Sequence, residues 1–231
     1  MVNIRDSQTT LVSLYHKKNV SMSTILDDLS WRYATKKFDA TKKLSQQQVN
    51  LLKEAFNLTA TSFGLQPVTL LIIGNQELKE QLVAHAMEQT QVAEASHLLV
   101  FCIEKNVDTT YVKEYFDRVK SIRATPDEIL KPFNEYLSGH FASLSPEDIR
   151  LWATKQAYLA MGNLLTVCAV EKIDACPMEG FVPKEFDAVL NLEEKGLQSV
   201  LIMPVGFRAS DDEFAGFKKV RKSLVDAILE L

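Results

Sequence analysis

Apolar residues in this chain alternate between helical spacing and short continuous runs. Ser45 and the three glutamines after it predict the start of a helix, whose apolar face continues through Val49 to Phe56. Residues 68–74 and 97–103 are near-continuous apolar runs and predict buried strands, with a helix over 76–87 between them. Strands of this kind belong to sheets that are covered on both faces.

The second half of the chain predicts one long helix and one further strand. Ser145 as N-cap and Pro146 at the first helical position begin a helix that runs to about Val170. Its apolar residues lie on nearly all sides, which suggests a central or interface helix. The strand is predicted over 198–206, and the last residues, 224–231, are apolar enough to pack as a helix or a strand.

Two stretches are less regular. Residues 1–21 lack a clear period and are interpreted as a poorly specified N-terminal arm, although an ordered leading helix is an alternative. Residues 107–144 mix charged and aromatic residues with helical signals, which fits either a lid beside a site or solvated helices. A helix after the arm is predicted with Ser23 as N-cap. Its core-facing residues would be Ile25, Leu26 and Leu29.

The order of these elements predicts a layered fold of the α+β or α/β class. With 231 residues, 46% of them apolar, the chain can bury a sizeable core, so residues 22–231 are expected to form a single domain. The formal charge of −4 argues against a general nucleic-acid or membrane-surface binder. No apolar run approaches the roughly 20 residues that a membrane span requires.

Cysteine and histidine usage narrows the chemistry further. The cysteines, Cys102, Cys168 and Cys176, are odd in number and no secretory signal precedes them, which indicates a reducing compartment such as the cytoplasm. The four histidines are scattered without metal-ligand spacing, so no metal site is expected. Nothing near Cys176 would lower its pKa, and a structural cysteine is the better interpretation there.

The most informative stretch follows the long helix and reads Ala-Cys-Pro-Met-Glu-Gly-Phe over residues 175–181. Pro177 restricts the backbone of the residue before it, and Gly180 lets another backbone or a flat ring approach closely. The stretch should therefore form a loop that delivers backbone N–H groups to a ligand. The chain has no dinucleotide fingerprint, no P-loop and no nucleophile elbow, so those sites are disfavoured.

Two basic pairs lie far from this loop in sequence. Arg32 and Lys36 are four residues apart, so one helical turn would place both on one side. Lys219 and Arg221 alternate, so an extended segment would also point them the same way. Each pair taken alone also fits an ordinary solvated surface. Together with the loop at 175–181, they predict a site for a planar, phosphate-bearing cofactor.

Four motifs in these regions resemble those of the FMN-dependent nitroreductase family, in family order. They are residues 32–39, the loop 62–67, the loop 177–181 and the basic residues 219–221. The chain most resembles the oxygen-insensitive NAD(P)H nitroreductases, a group that also includes dihydropteridine reductases. The resemblance covers residues 23–231 and implies an α+β fold with a central, mostly antiparallel sheet flanked by helices, assembled as an intertwined homodimer.

The resemblance also implies which residues bind FMN. They are Arg32, Tyr33, Ala34, Lys36, Thr61, Ser62, Gly64, Gln156, Pro177, Met178, Glu179, Gly180, Lys219 and Arg221. The cations at 32, 219 and 221 would hold the phosphate, and Lys36 would favour the anionic reduced ring from the pyrimidine edge. The N–H groups of Glu179 and Gly180 would face flavin N5 and O4, with Pro177 packed beneath the ring. Gln156 matches a residue near the ribityl chain.

Assembly follows from the same resemblance. Thr61, Ser62 and Gly64 match a loop that reaches the flavin bound mainly to the other subunit, so an obligate homodimer with FMN at the interface is expected. The last residues would reach onto the partner. Two residues depart from the family pattern: Glu88 stands where a polar residue, often Asn, is usual, and Gly64 also replaces a frequent Asn.

These motifs predict a flavoenzyme with ping-pong chemistry. NADH or NADPH would give hydride to flavin N5 and leave, and a small aromatic acceptor such as a nitroaromatic or a quinone would then take two electrons. No catalytic acid–base residue is required of the protein. Dihydropteridine reduction is an alternative that the motifs do not separate from nitroreduction. Two further hypotheses are a flavin-binding protein without turnover and a fold that binds no flavin.

Overall fold

The computed structural model describes residues 23–231, so the predicted arm at 1–21 lies outside the described residues. The first helix, α1, spans Ser23–Trp31 and is followed without a further helix by an extended segment up to Leu44. Helix α2 spans Gln46–Asn57 and begins at the predicted cap. The Ser45 hydroxyl accepts the N–H of Gln48, whose side chain accepts the N–H of Ser45 in return.

The first two strands confirm the predicted apolar runs. Strand β1 spans Val68–Ile73 and β2 spans His97–Glu104. Between them, α3 spans Gln76–Val83 and the short α4 spans Gln91–Glu94. The predicted helix over 76–87 was therefore too long. Helix α3 ends at Val83, and the turns after it are closed by bonds from His85 to Leu82 and from Ala86 to Val83. Met87 and Glu88 then adopt a left-handed backbone, with φ of 54° and 55°.

The stretch at 107–144 is helical, and the long helix follows it. Helix α5 spans Thr109–Arg123, α6 spans Asp127–Ser143, and α7 spans Pro146–Val170 with Ser145 as its N-cap, as predicted. The final third contains strand β3 at Asp174–Ala175, helix α8 at Pro183–Val189, strand β4 at Leu197–Gly206 and a single helical turn, α9, at Leu224–Ala227. The side chains of residues 224–231, a segment predicted to pack as a helix or a strand, are exposed within one chain.

The four strands form one antiparallel sheet in the order β1-β2-β4-β3. Strand β2 shows how the sheet is buried on both faces. Leu98, Val100 and Cys102 belong to one apolar cluster with α8, while Leu99 and Phe101 belong to another with α2 and α7. This alternation is the period of a strand, and it makes β2 a central strand.

A third, smaller cluster lies under the α5–α6 pair and contains Leu65, Phe116 and Phe141. The core positions predicted in α1 are wrong within one chain: Ile25, Leu26 and Leu29 are 40%, 63% and 37% exposed. Helix α1 lies beside α7, and α2 and α7 already cover that face of the sheet. Among residues 23–231, no helix is long and apolar enough to cross a membrane.

Candidate active site

The segment at 32–37 is extended and lies against the end of the sheet. Ala34 forms a parallel bridge with Ala175, and the Thr35 N–H donates to the Ala175 carbonyl over 3.3 Å. The helical turn predicted to align Arg32 with Lys36 is therefore wrong. Helix α1 ends at Trp31, and the N–H groups of Thr35, Lys36 and Lys37 bond to distant parts of the fold.

Asp212 fixes this segment from the other side. Its Oδ2 accepts hydrogen bonds from the Tyr33 hydroxyl at 2.8 Å and from the N–H groups of Lys36 and Lys37 at 2.9 and 3.1 Å. Its Oδ1 accepts the N–H of Phe214. Burial alone would raise the pKa of Asp212, but these hydrogen bonds outweigh it and hold the pKa below its ordinary value. Burial and the bond to Asp212 raise the pKa of Tyr33.

Arg208, at the end of β4, extends this packing. Its guanidinium lies 4.3 Å from the ring centre of Trp31 and 4.5 Å from that of Tyr33. It also pairs with buried Asp174, since its Nε and its backbone N–H donate to the two carboxylate oxygens over 2.7 and 2.8 Å. Stacking and ion pairing hold Arg208 in one orientation.

The basic pairs from the two ends of the chain converge here. Lys219 donates through Nζ to the carbonyl of Arg32. Burial lowers the pKa of Lys219, and repulsion from Arg32, Arg221 and Arg208 lowers it further. Burial and the charge of Arg221 likewise lower the pKa of Arg32. A cluster of mutually repelling cations is the environment that an anion relieves, so the predicted phosphate site is physically reasonable.

The loop at 175–181 begins at Ala175, which pairs with Ala34, two residues after Arg32 of this cluster. Cys176 and Met178 still donate to carbonyls of β4, and the Phe181 N–H turns back to the carbonyl of Glu179. Within residues 23–231, no acceptor takes the N–H of Glu179 or of Gly180. Two adjacent donors without an acceptor in the described part of the chain are available to ligand oxygen or nitrogen atoms.

Gly180 is packed closely from the side of the α3–α4 connection. A Cβ on Gly180 would lie 3.2 Å from Gln89 Nε2 and 3.3 Å from Met87 Sδ. Gln89 also donates to the carbonyls of Gly180 and Ala86 over 2.8 and 2.9 Å. The departure at Glu88 therefore places an exposed carboxylate next to the residue that supports the loop. Gln89 is the side chain that makes the contact.

The same loop forms one wall of a cavity of about 510 Å³ against α7. The cavity is lined by Tyr158, Met161, Gly162, Leu165, Pro177, Met178, Glu179 and Leu201. Its walls are mainly apolar, which suits the face of a flat ring. Burial raises the pKa of the Cys176 thiol, and the nearby positive charge of Lys36 partly opposes that rise. Cys176 is buried, which fits a structural cysteine.

Four predicted residues lie together elsewhere. Gln156, on α7, accepts the N–H of Ser62 at its Oε1 over 2.8 Å and donates to the carbonyl of Trp152. Thr61 accepts the N–H groups of Gly64 and Gln66 in the same loop. Gln156 and Tyr158 are two positions apart on a helix, so they point to opposite sides of α7. Within one chain, this second group is not joined to the loop at 175–181.

Several residues that pack against the segment at 32–37 or line the cavity were not predicted from the sequence. Asp212 belongs to an acidic run that is typical of a solvated turn, and Arg208 is a single arginine after a strand. Tyr158 was one apolar residue among many in the long helix. None carries a local signal, because their partners are distant in sequence: Tyr33 for Asp212, Trp31 for Arg208 and Glu179 for Tyr158.

Fold and site together define an α+β protein that presents paired backbone donors, an apolar cavity and a cation cluster to a flat, phosphate-bearing ligand. The sequence model of the Nitroreductase family matches residues 29–207, and the chain belongs to this family. The predicted family is therefore confirmed, and with it the fold and the assignment to the oxidoreductase enzymes.

Individual relatives agree with this assignment. The chain is 31% identical over 210 residues to the oxygen-insensitive NAD(P)H nitroreductase of Salmonella typhimurium, covering 87% of this chain and 96% of the relative. It is 32% identical over 220 residues to a candidate NAD(P)H nitroreductase of Staphylococcus saprophyticus, covering 89% and 95%. Among solved structures, a candidate nitroreductase in complex with FMN from Exiguobacterium sibiricum superposes with a TM-score of 0.77 at 18% identity, covering 90% and 97%.

Proposed function

We propose that the protein is an FMN-dependent NAD(P)H oxidoreductase that reduces electron-poor aromatic acceptors such as nitroaromatics and quinones. The observation that carries this proposal is the pairing of Ala34 with Ala175, which joins the segment that begins at the cation cluster to the loop at 175–181. In that loop, the N–H groups of Glu179 and Gly180 have no acceptor among residues 23–231. FMN has the matching parts, since it joins a phosphate to a flat ring with hydrogen-bond acceptors along one edge. Names of relatives that refer to NAD(P)H support a reduced nicotinamide as the electron donor.

The residues of the cation cluster and of the segment at 32–37 each have a role in this proposal. Arg32, Lys219 and Arg221 neutralise the phosphate, and Tyr33 and Ala34 hold the segment between that end and the ring. Lys36 places a positive charge where negative charge develops on reduction. Asp212 anchors the Lys36 backbone and so restricts where the ammonium can lie.

The loop supplies the ring contacts. Pro177 and Met178 form an apolar floor, and the donors at Glu179 and Gly180 orient the ring edge. When bound, FMN supplies the hydride chemistry. The protein contributes position and electrostatics, and it needs no acid–base side chain. Donor and acceptor use the same exposed face in turn, in a ping-pong sequence.

We also propose that two copies of the chain complete each site. Thr61, Ser62, Gly64 and Gln156 lie on the other side of α7 from Tyr158, so a partner subunit is required to bring such a group to the ring. Strand β1 lies at an edge of the sheet, and the residues from 224 onward expose apolar side chains. Within residues 23–231, the outer edge of β1 has no strand partner. Such an edge and an apolar tail are features that a second copy would cover.

The compartment in this proposal is the cytoplasm. Cys102, Cys168 and Cys176 are buried free thiols, and burial raises the pKa of each. Thiols without disulfide partners are typical of proteins from reducing compartments.

Absorbance spectroscopy of the purified protein tests the proposed activity. The protein should carry the visible band of bound flavin, and NADH or NADPH added without oxygen should bleach it. Addition of a nitroaromatic, a quinone or a quinonoid dihydropterin should then restore the band, and the fastest acceptor identifies the substrate class. An unchanged spectrum with both donors would rule out hydride transfer. A colourless protein that takes up no FMN would rule out the cofactor.

A further inference from the structure

Arg208 connects two parts of the proposed FMN site that are distant in sequence. Its guanidinium packs against two aromatic rings, 4.3 Å from the ring centre of Trp31 and 4.5 Å from that of Tyr33. These two residues flank Arg32, a member of the cation cluster. Arg208 therefore contacts the chain on both sides of a residue that is proposed to bind the phosphate.

The second partner of Arg208 is Asp174 in β3, whose side chain is 5% exposed. Nε and the backbone N–H of Arg208 donate to the two carboxylate oxygens, and Nη2 lies 2.6 Å from Oδ1. Asp174 directly precedes Ala175, where the loop at 175–181 begins and pairs with Ala34. One side chain, itself 23% exposed, thus joins the start of that loop to the residues around Arg32.

The backbone of Arg32 is held in the same region. Its N–H donates to the carbonyl of Asp28 over 3.1 Å, and its carbonyl accepts from Nζ of Lys219. The ring of Tyr33 is fixed at its far end by the bond from its hydroxyl to Asp212. With the backbone and both neighbouring rings held, the freedom left to Arg32 is mainly that of its own side chain. Such a fixed starting point lowers the entropy cost of placing the guanidinium on a phosphate.

A cation at position 208 can act through its charge or through its shape. The charge reaches the cation cluster, since it contributes to the lowered pKa of Lys219. It is also paired with the Asp174 carboxylate, which weakens its attraction for a further anion. The shape is more distinctive, because a flat guanidinium stacks on rings and pairs with a carboxylate in ways that an ammonium does not match. The contacts therefore favour a role for the shape.

We propose that Arg208 is a positioning residue. By holding the residues on both sides of Arg32 against β3, it sets the distance between that cation and the loop at 175–181. This role rests on the proposed function, since it requires FMN in the site. It gives the site a preference for a phosphorylated flavin, because such a ligand has to reach both the cation and the loop. Riboflavin, which has the same ring system without the phosphate, is the comparison ligand.

Arg208→Lys tests this role, because it keeps the charge and loses the flat guanidinium. Quenching of flavin fluorescence by the FMN-free protein gives the Kd of FMN and of riboflavin, and the preference is the Kd of riboflavin divided by that of FMN. We expect this preference to fall by roughly tenfold, the effect of weakening one charge-assisted contact to the phosphate. Riboflavin affinity should be unchanged, since β3 stays paired with β4 and keeps the loop in place. Arg123→Lys, at the exposed end of α5, is the matched control and should keep the wild-type preference.

A second background separates positioning of Arg32 from other effects of the substitution. In Arg32→Ala, the cation to be positioned is gone, so adding Arg208→Lys should lower the preference no further. A wild-type preference in Arg208→Lys alone, or an equal further fall in the Arg32→Ala background, would overturn the role. Either result would leave the proposed function intact, provided that the wild type binds FMN more tightly than riboflavin.

Trp31→Leu keeps the role testable if Arg208→Lys does not fold. It removes one ring from the guanidinium and leaves the pairing of Arg208 with Asp174 in place. The preference should fall by about threefold, the value of a partly exposed cation–π contact. An unchanged preference in this variant would contradict the positioning role. A wild type that binds FMN and riboflavin equally would contradict the phosphate site, and one that binds neither would contradict the proposed function as well.

Discussion

At the scale of single residues, Lys79 is the most demanding side chain to accommodate. It is fully buried, and its Nζ donates to the carbonyls of Ala93, Ala95 and Ser96 at the entry to β2. Burial is the main cause that lowers the pKa of Lys79, to about 8, and the nearby charge of Lys43 adds to it. Its hydrogen-bond partners are these backbone oxygens, so the ammonium acts as a cap for them.

We expect Lys79→Met to lower the free energy of unfolding at pH 7 by about 1–3 kcal/mol, because buried carbonyls lose their donor. The unfolded chain keeps the lysine proton up to about its ordinary pKa of 10.5, whereas the folded chain releases it near 8. Between these values the unfolded state binds more protons, so wild-type stability relative to the variant should increase as the pH rises. Urea unfolding across that range measures both effects, with Lys53→Met on exposed α2 as the control. A difference that is independent of pH would contradict the lowered pKa.

Arg221 gives the sharpest residue-scale test of the phosphate site. We expect Arg221→Ala to weaken FMN binding by roughly tenfold to a hundredfold, since a lost charge-assisted contact costs about 1.5–3 kcal/mol. Fluorescence titration of the FMN-free protein with FMN measures the change, which should shrink at high salt. Lys222→Ala, at the exposed neighbouring position, should leave affinity within about twofold. Equal losses in both variants would indicate general electrostatic attraction instead of a defined contact.

At the scale of elements, the turn after β4 and the segment after α1 depend on each other through Asp212. In the wild type, Oδ2 of Asp212 accepts three hydrogen bonds, whereas Asp212→Asn retains a single side-chain oxygen. We therefore expect the substitution to lower the free energy of unfolding by about 1–3 kcal/mol at neutral pH. The folded-state pKa of Asp212 lies below its ordinary value of 3.8, so the wild-type advantage should disappear as the pH falls below that value.

Urea unfolding at neutral and acidic pH measures this difference. Hydrogen exchange at the N–H groups of Lys36 and Lys37 should also be faster in Asp212→Asn. The control is Asp211→Asn, which removes an exposed ion pair with Lys37 and should change stability by less than about 1 kcal/mol. If the two variants were equally stable, Asp212 would have no anchoring role.

The departure at Gly64 is also explained at this scale. Gly64 has a φ of +73°, and a Cβ there would lie 2.8 Å from the hydroxyl of Tyr115 on α5. A larger residue at this position would therefore require the Tyr115 side chain to move. The loop at 61–66 packs against the α5–α6 pair, and the Tyr111 hydroxyl on α5 donates to the carbonyls of Leu65 and Gln66.

At the scale of the whole molecule, apolar side chains are exposed on α7 and in the tail, where a second copy is proposed. Leu151 and Leu159 on α7 are 52% and 55% exposed, and Leu229 in the tail is 87% exposed. Large exposed apolar areas usually mark an interface. Light scattering after size exclusion should give twice the 26.1 kDa of one chain.

Removal of residues 224–231 should shift this mass toward the monomer on dilution and reduce FMN retention in parallel, since the sites are proposed to be shared. The full chain in the same dilution series is the reference. A truncated chain that stays dimeric and retains FMN would show that the tail does not contribute to assembly.

The local sequence pattern predicted most of the helices and strands, but few of their ends near the proposed FMN site. The cap at Ser45, the start of α7 at Pro146 and the strands β1, β2 and β4 follow from capping chemistry and apolar period, which act between neighbours in sequence. The helix over 76–87 was overextended because nothing local indicates that the helix ends at Val83 or that Met87 and Glu88 then turn left-handed beside Gly180. The two-residue β3 is likewise too short to leave a pattern.

The sequence by itself therefore determined the family, the element order and the identity of the loop and the basic pairs, because motifs and periodicity are local. Only the tertiary structure decided that Lys219 lies on Arg32, that Asp212 and Arg208 hold the segment between them, and that Tyr158 meets Glu179. These contacts join residues 21 to 187 positions apart, and such pairings depend on how the sheet and helices pack.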